Sequence, residues 1–237
     1  MDALLSVLLD PRCAACAHPL DRPTEGPVCA ICWGSILPLT PPLCDSCGDP
    51  LPSWRSLSLP LARCARCRRV LRPINRCRAI GAYDGTLRTI IHALKYDGRR
   101  SLAKPLAALM TARGSDTLTG ADFVVPVPLH PSRRRERGFN QSEDLARNIG
   151  PPVVLALRRI RRTSAQADLP AAQRHGNVRD AFALHDTAGR LDRAIVVLID
   201  DVSTTGATLD ACARALKNGG AREVRALTAA RVLTRPR

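Results

Sequence analysis

The chain has 237 residues, near the upper limit for one domain and enough for a medium domain plus a small module. Its formal net charge is +15, and all of its 36 basic residues except Lys95, Lys104 and Lys217 are arginine, whose guanidinium fork matches phosphate oxygens bidentately. No apolar run reaches the ~18 to 20 residues of a membrane span, and "MDALLSVLLDPRC" lacks the basic flank and small-residue pattern of an export signal, so the expectation is a cytoplasmic protein without a transmembrane segment.

The opening "ALLSVLLD" is amphipathic and reads as a short first helix. Nine of the ten cysteines then fall between Cys13 and Cys77, and only Cys212 follows. Eight form Cys-x-x-Cys pairs: Cys13 and Cys16, Cys29 and Cys32, Cys44 and Cys47, Cys64 and Cys67, separated by 12, 11 and 16 residues. Such a turn presents two thiolates to one tetrahedral ion, and two pairs complete a site with four sulfur ligands. A disulfide framework fits poorly where no export signal is seen.

Two zinc ions are therefore expected, with these eight cysteines as metal ligands. Neighbouring pairs would make two tandem ribbons, whereas first with third and second with fourth would make a cross-brace. Short local loops cost less closure entropy and favour the tandem form. The stretches "LPLTPPL" and "DPLPSWRSLSLPLA" are rich in proline and have little periodicity. Metal binding must supply folding energy there, which makes the zinc structural. Cys77 and Cys212 are expected to be packing residues. The composition changes near residue 80, dividing the chain into a double zinc-ribbon domain, 1–78, and a second domain, 79–237.

The second domain alternates helix and strand. "GTLRTIIHALKY" and "SLAKPLAALMTAR" carry apolar residues at helical spacing, and "DFVVPVPLH" is a short strand ended by prolines. "PSRRRERGFNQ" is too basic to bury. "SEDLARNI" reads as a helix, with Ser142 as its expected N-cap and Glu143 and Asp144 in its first turn. A strand is expected at the start of "PPVVLALRRIRR", followed by a long polar connector of the kind used as a flap. "AIVVLID" suits a strand covered on both faces. "TLDACARALKNGGA" is a helix with Leu209, Cys212 and Leu216 on one face and a glycine stop, and "EVRALTAARV" is the next strand. Strand, helix, strand implies a parallel sheet. Residues 131–179 hold eleven arginines against four acids, so nearly half of the excess charge sits in about a fifth of the chain.

"VVLIDDVSTTGATL" places Asp200 and Asp201 at a strand's carboxyl end, the edge of an open parallel sheet where ligands bind. Across "TTGAT", backbone N–H groups can converge on one anion, Gly206 permits close approach, and a helix dipole adds attraction. Thr204, Thr205 and Thr208 offer hydroxyl donors. The carboxylates suit vicinal hydroxyls or a magnesium shell instead. The two halves together read as a ribose with a 5′-phosphate. No G-x-x-x-x-G-K-[ST] or G-x-G-x-x-G occurs, which removes the loops of nucleoside triphosphatases and dinucleotide enzymes.

These residues resemble the phosphoribosyl-pyrophosphate motif of type I phosphoribosyltransferases. With "CWGSILP", "CDSCGDPL", "IHALKYDG", "VPVPLHPSRRRERGFNQ" and "RTSAQADLPAAQRHGNVRDAF" in order before it, almost the whole chain resembles the ComF/GntX family, competence-associated proteins with a zinc-ribbon front. The resemblance implies an α/β fold: a type I phosphoribosyltransferase-like parallel sheet flanked by helices and preceded by a small zinc-ribbon module. It implies that Asp200 and Asp201 take the ribose hydroxyls while Ser203, Thr204, Thr205, Gly206, Ala207 and Thr208 hold the 5′-phosphate, with Mg²⁺ accompanying the diphosphate. Lys95, Leu129, His130, Arg133, Arg137, Gly138, Asn140 and Gln141 would lie at the diphosphate. Gln166, Arg174 and Asn177 would belong to a closing flap, with Arg174 catalytic beside the two aspartates.

Two functions follow as expectations. The first is a phosphoribosyltransferase whose acceptor the sequence does not name, linked by the resemblance to DNA uptake. The alternative is a non-catalytic competence factor that handles single-stranded DNA through the zinc ribbons and arginine-rich loops, with other DNA-uptake proteins as partners. Only Trp33, Trp54, Tyr83, Tyr96, Phe123, Phe139 and Phe182 are aromatic, which weighs against base stacking.

Overall fold

The computed structural model describes residues 10–52, 62–161, 181–185 and 191–233. "ALLSVLLD", except for its last residue, and most of the expected flap lie outside them. The front of the chain is one small unit used twice. In the first copy Arg12 bridges Pro19, the Cys13 amide donates to the His18 carbonyl (2.8 Å), and helix α1, Ala30–Gly34, starts directly after Cys29. In the second, Leu43 bridges Pro50, the Cys44 amide donates to the Asp49 carbonyl (2.8 Å), and helix α2, Ala65–Arg69, starts directly after Cys64. Neighbouring pairs therefore combine, as Cys13/Cys16/Cys29/Cys32 and Cys44/Cys47/Cys64/Cys67, and the ligand atoms of each set lie within 4.8 Å of one another. Tandem closure is what the short loops favour.

The two copies are built into the body differently. Cys13, Leu20, Val28, Cys32 and Ile36 of the first belong to the same apolar cluster as Ile90, Leu94, Leu106 and Met110. The second keeps a small cluster of its own, made of Cys44, Cys47, Leu51, Ala62 and Cys67. It sits on the first strand of the body, where the Cys77 amide donates to the Asp45 carbonyl at 3.2 Å.

That strand, β1 (Arg76–Ala82), spans the composition change at 78/79. Helix α3 (Gly85–Tyr96) buries Leu87, Ile90, Ile91 and Leu94 at helical spacing, and helices α4 (Ala103–Arg113) and α5 (Ser115–Leu118) lead to strand β2 (Phe123–Pro126). The basic segment after it is a helix, α6 (Pro131–Arg137), with no buried residue. Helix α7 (Gln141–Ala146) follows.

Its N-cap is Asn140 and not Ser142: the Asn140 side chain accepts from the Ser142 amide at 3.1 Å. Ser142 lies two positions inside the N-cap, too far along the helix to cap it, and its hydroxyl is used elsewhere. The strand expected at the start of "PPVVLALRRIRR" is reduced to one bridge, Val153 to Val124; β3 (Leu157–Arg159) comes later and pairs antiparallel with β4 (Phe182–Leu184).

Strand β5 (Ile195–Ser203), helix α8 (Ala207–Asn218) and strand β6 (Glu223–Arg231) complete the chain's parallel sheet, in the order β1-β6-β5-β2. Val196 to Ile199 are fully buried, as a central strand covered by helices on both faces requires. Cys77 and Cys212 are buried and stand outside both cysteine sets. Among the described residues no helix is long and apolar enough to cross a membrane.

The repeat supplies its own stability test. Ala17 and Gly48 occupy the same place in the two knuckles, each donating its amide to the first cysteine's carbonyl, and both have positive φ, 60° and 75°. A Cβ on Gly48 would lie 2.7 Å from the Cys77 carbonyl oxygen. Gly48→Ala is expected to cost about 2 kcal/mol from left-handed strain plus the backbone shift. Ala17→Gly should be neutral or stabilising by up to about 1 kcal/mol. Thermal melts of the two zinc-loaded variants check the contrast.

Candidate functional site

Strand β5 runs apolar to Ile199 and then delivers two carboxylates in succession, Asp200 and Asp201, both buried at the carboxyl edge of the sheet. Elements on either side neutralise them. The Ser142 hydroxyl on α7 donates to Asp200 Oδ1 at 2.8 Å, and the Asp201 amide donates to the same oxygen at 2.9 Å. From α3, Lys95 Nζ stands 2.9 Å from Asp201 Oδ1. Asp201 Oδ2 is buried without a hydrogen bond.

Burial, and after it the neighbouring Asp201 charge, push the Asp200 carboxyl up to about 7, against the opposing pull of Lys95 and its two donors. Burial alone would lower Lys95. The adjacent Asp201 outweighs it and holds the ammonium above its usual range.

These groups line a cavity of about 240 Å³ whose wall also holds Tyr83, Tyr96, Leu129, Arg133, Arg137, Gln141, Arg159, Thr204 and Thr208. Beyond β5 the backbone turns through Gly206 at φ 82°, in the left-handed region, and enters α8 at Ala207. The Ala207 amide points toward Thr205 Oγ1 at 3.4 Å. Twelve residues of helix thus begin at the cavity with their N-terminal amides and dipole, an arrangement that attracts an anion.

The residues expected at the diphosphate divide into two groups. Lys95, Leu129, Arg133, Arg137 and Gln141 line the cavity. Arg137 donates to Gln141 Oε1 at 3.2 Å and lies 4.9 Å over the Tyr96 ring. His130, Gly138 and Asn140 do not line it. His130 caps α6 through the Ser132 amide, Gly138 ends that helix in the left-handed conformation, and Asn140 donates to the Val127 carbonyl at 3.1 Å while capping α7. Gln166, Arg174 and Asn177 lie outside the described residues.

Sequence reasoning missed Tyr83, Tyr96 and Arg159 as wall residues. Tyr83 could have been found as the residue just past the carboxyl end of β1, the same sheet edge that carries the aspartates. A second cavity, about 730 Å³, shares Leu129, Pro128 and Arg159 with the first and adds Arg134, Arg135 and Arg158.

In the front module, Cys16 Sγ lies 3.9 Å from Cys29 Sγ, and Cys47 Sγ lies 3.7 Å from Cys64 Sγ. The Ala15 and Cys29 amides point at Cys13 Sγ, both at 3.4 Å, and the Cys64 amide at Cys44 Sγ at 3.3 Å. Such donors favour thiolate. Although burial opposes it, the Cys13 thiol is lowered to about 6 by them, while burial and then the surrounding sulfurs raise Cys32. Four thiolates this close require a cation between them, and the geometry fits tetrahedral zinc of the structural type, with no position left open for a substrate.

Comparison with known proteins gives two family matches, a double zinc ribbon domain over residues 4–68 and a phosphoribosyl transferase domain over residues 135–236. The chain is 33% identical to a DNA utilization protein, YhgH, of Salmonella typhi, over 93% of this chain and 97% of that one. It is 28% identical to competence protein F of Haemophilus influenzae, covering 90% and 93% of the two chains. With competence protein ComFC of Streptococcus pneumoniae it shares 30% identity over 65% of this chain and 67% of that one. A solved allosteric regulatory enzyme of purine biosynthesis aligns with 58% of this chain and 30% of its own, 21% identical, at TM-score 0.38.

The buried carboxyl pair makes stability depend on pH. Asp200 titrates at about 7 when folded and near ~3.9 when unfolded, so between these values the folded chain holds the extra proton. Its contribution is full below ~4 and is lost as pH rises through about 7. The wild type should therefore lose stability relative to Asp200→Asn from pH 5 to pH 8. Urea midpoints of the two proteins over this range measure the difference, and parallel curves would contradict the assignment.

Proposed function

From the premise that this chain belongs to the ComF family of double-zinc-ribbon, phosphoribosyltransferase-like proteins, we propose that the cavity at the end of β5 binds phosphoribosyl pyrophosphate and transfers its phosphoribosyl group to an acceptor. The observation that carries this reading is the junction itself. Buried carboxylates at Asp200 and Asp201 adjoin a left-handed Gly206 turn that opens a helix. Acceptors for hydroxyls and donors for a phosphate thus stand side by side, as a ribose 5-phosphate needs.

Asp200 and Asp201 accept from the ribose hydroxyls, and the amides and hydroxyls of residues 203–208 hold the 5′-phosphate. Lys95, Arg133 and Arg137, which line the same cavity, face the diphosphate. In the transfer the bond from C1 to the diphosphate oxygen breaks, its electron pair leaves with the diphosphate, and the acceptor's lone pair forms the new bond to C1. The cationic side chains stabilise the charge that gathers on the leaving group, and no covalent nucleophile is needed. The carboxylates of Asp200 and Asp201, with Asp201 Oδ2 unpartnered, are the groups that would hold a magnesium ion arriving with the diphosphate, where it would neutralise leaving-group charge.

Titration calorimetry with phosphoribosyl pyrophosphate and Mg²⁺ tests this reading. Micromolar-range binding is expected for the wild type, with at least a ~150-fold loss in Asp200→Asn/Asp201→Asn, the scale of two lost hydrogen bonds to charged groups. Equal affinity in both proteins would remove the reading.

A second reading rests on the arginine rim. Arg133, Arg134, Arg135 and Arg158 surround the two adjoining cavities, and relatives carry names that refer to DNA utilization and competence. On this reading the rim contacts the phosphates of single-stranded DNA. Counterion release then requires affinity to fall steeply with salt, with a slope reduced by about 1.4 in the double variant Arg134→Ala/Arg135→Ala. Fluorescence anisotropy with a labelled oligonucleotide measures the slope, and a flat response excludes the contact.

A further inference from the structure

Two nearly buried arginines join the second zinc ribbon to the turn at the end of β5, and the transfer chemistry uses neither. Arg231, 1% exposed, ends β6 directly beside Ser203 in register. Its Nη1 donates to Ser203 Oγ at 3.2 Å, and its Nε donates to Asp49 Oδ1. Asp49 belongs to the second knuckle: its carbonyl accepts from the Cys44 amide, and its other carboxylate oxygen lies 3.5 Å from Cys47 Sγ and 3.8 Å from Arg66 of α2.

The second arginine approaches the same turn from the other side. Arg72, five residues past Cys67, donates from Nε to both carboxylate oxygens of Asp210, at 2.9 and 3.0 Å. Its Nη2 reaches the Gly206 carbonyl at 3.4 Å. Asp210 stands in the first turn of α8 and its amide donates to the same Gly206 carbonyl at 2.9 Å. The Arg72 guanidinium lies so close under Gly206 that a Cβ there would come within 2.2 Å of Nη2.

A turn of small residues has little packing of its own to hold it. Here two of its residues, Ser203 and Gly206, are each fixed by a buried charge-assisted contact that leads back to one zinc-ribbon unit. We propose that Asp49, Arg231 and Arg72 are positioning residues, through which the second zinc ribbon holds the turn of residues 203–208 in its anion-binding shape. This goes a step beyond the phosphoribosyl-binding reading and rests on it for the ligand. The bracing itself is a property of the free protein.

The test uses the full-length zinc-loaded chain, carrying Asp49→Asn, Arg72→Met or Arg72→Met/Asp210→Asn, with Arg12→Met in the first ribbon as a control at an exposed ion pair. Amide hydrogen exchange without ligand is read at residues 203–210 and at Ala226 and Leu227 in the sheet core. Asp49→Asn and both Arg72 variants are expected to exchange about tenfold faster at residues 203–210 and unchanged in the core, as the loss of one such contact implies. The double variant keeps the effect while removing the stranded Asp210 charge, so a fold-wide defect from an unpaired carboxylate is told apart.

Calorimetry with phosphoribosyl pyrophosphate and Mg²⁺ should then show about tenfold weaker binding in the same variants and none of this in Arg12→Met. Exchange at residues 203–210 that matches the wild type in folded Asp49→Asn and Arg72→Met/Asp210→Asn overturns the inference, whether or not the sugar binds. Faster exchange in proteins of which even the wild type binds no sugar leaves the bracing in place and overturns the ligand reading instead.

Discussion

Two carboxylates buried side by side where strand β5 leaves its apolar run are the constraint around which the rest of the body is arranged. Strand β5 lies between β6 and β2, so Asp200 and Asp201 cannot turn away to water. Isolated, such a pair would carry a large desolvation and repulsion cost. Three elements reduce it, the Lys95 ammonium from α3, the Ser142 hydroxyl from α7, and the strand's own Asp201 amide. The compensation is partial: burial still pushes the Asp200 carboxyl up to about 7, and one oxygen of Asp201 is without a hydrogen bond. Incomplete neutralisation leaves acceptor capacity at the sheet edge, which is what the proposed binding of a sugar's hydroxyls would use.

The same view changes the meaning of the arginine excess. A net charge of +15 suggests a phosphate-binding surface, and the arginines of α6, a helix with no buried residue, are placed as such a surface requires. Yet Arg231 and Arg72 are almost wholly buried, Arg113 donates to the Ile80 and Ile36 carbonyls at 2.9 and 2.8 Å, and Arg78 spans the Cys44 carbonyl and Asp45. These arginines are internal fasteners that tie the ribbons to the sheet. Composition counts them as surface charge because it cannot distinguish a guanidinium that meets solvent from one that satisfies carbonyls at a seam between modules.

What could be read in the sequence follows the range of each interaction. Helical spacing in "GTLRTIIHALKY", the apolar run before Asp200 and the Cys-x-x-Cys pairs are signals carried within about a dozen residues, and the elements and cysteine sets form where those signals lie. The N-cap at α7 failed by two positions because Asn140 and Ser142 are both good caps. Only the tertiary demand of Asp200 for a donor decides between them, since it takes the Ser142 hydroxyl. His130 and Gly138, expected at the diphosphate from a basic segment, are also the start and stop of a helix that the run of arginines conceals. Arg72 and Arg231 were invisible for a stronger reason: their partners lie 138 and 182 residues away, and no local pattern encodes that.

Those distances also explain why the front module uses metal. The second ribbon's own cluster has five buried residues, three of them cysteines, far too little apolar area to fix a carboxylate to within a fraction of an ångström. Bonds from four thiolates to one ion supply that rigidity in a small space. Asp49, held between the Cys44 amide, the Cys47 sulfur and Arg66, is as well placed as its knuckle is firm. Through Asp49 the compact knuckle reaches Arg231 directly, and Arg231 in turn reaches Ser203, so two side chains span the distance from the cysteine set to the end of β5.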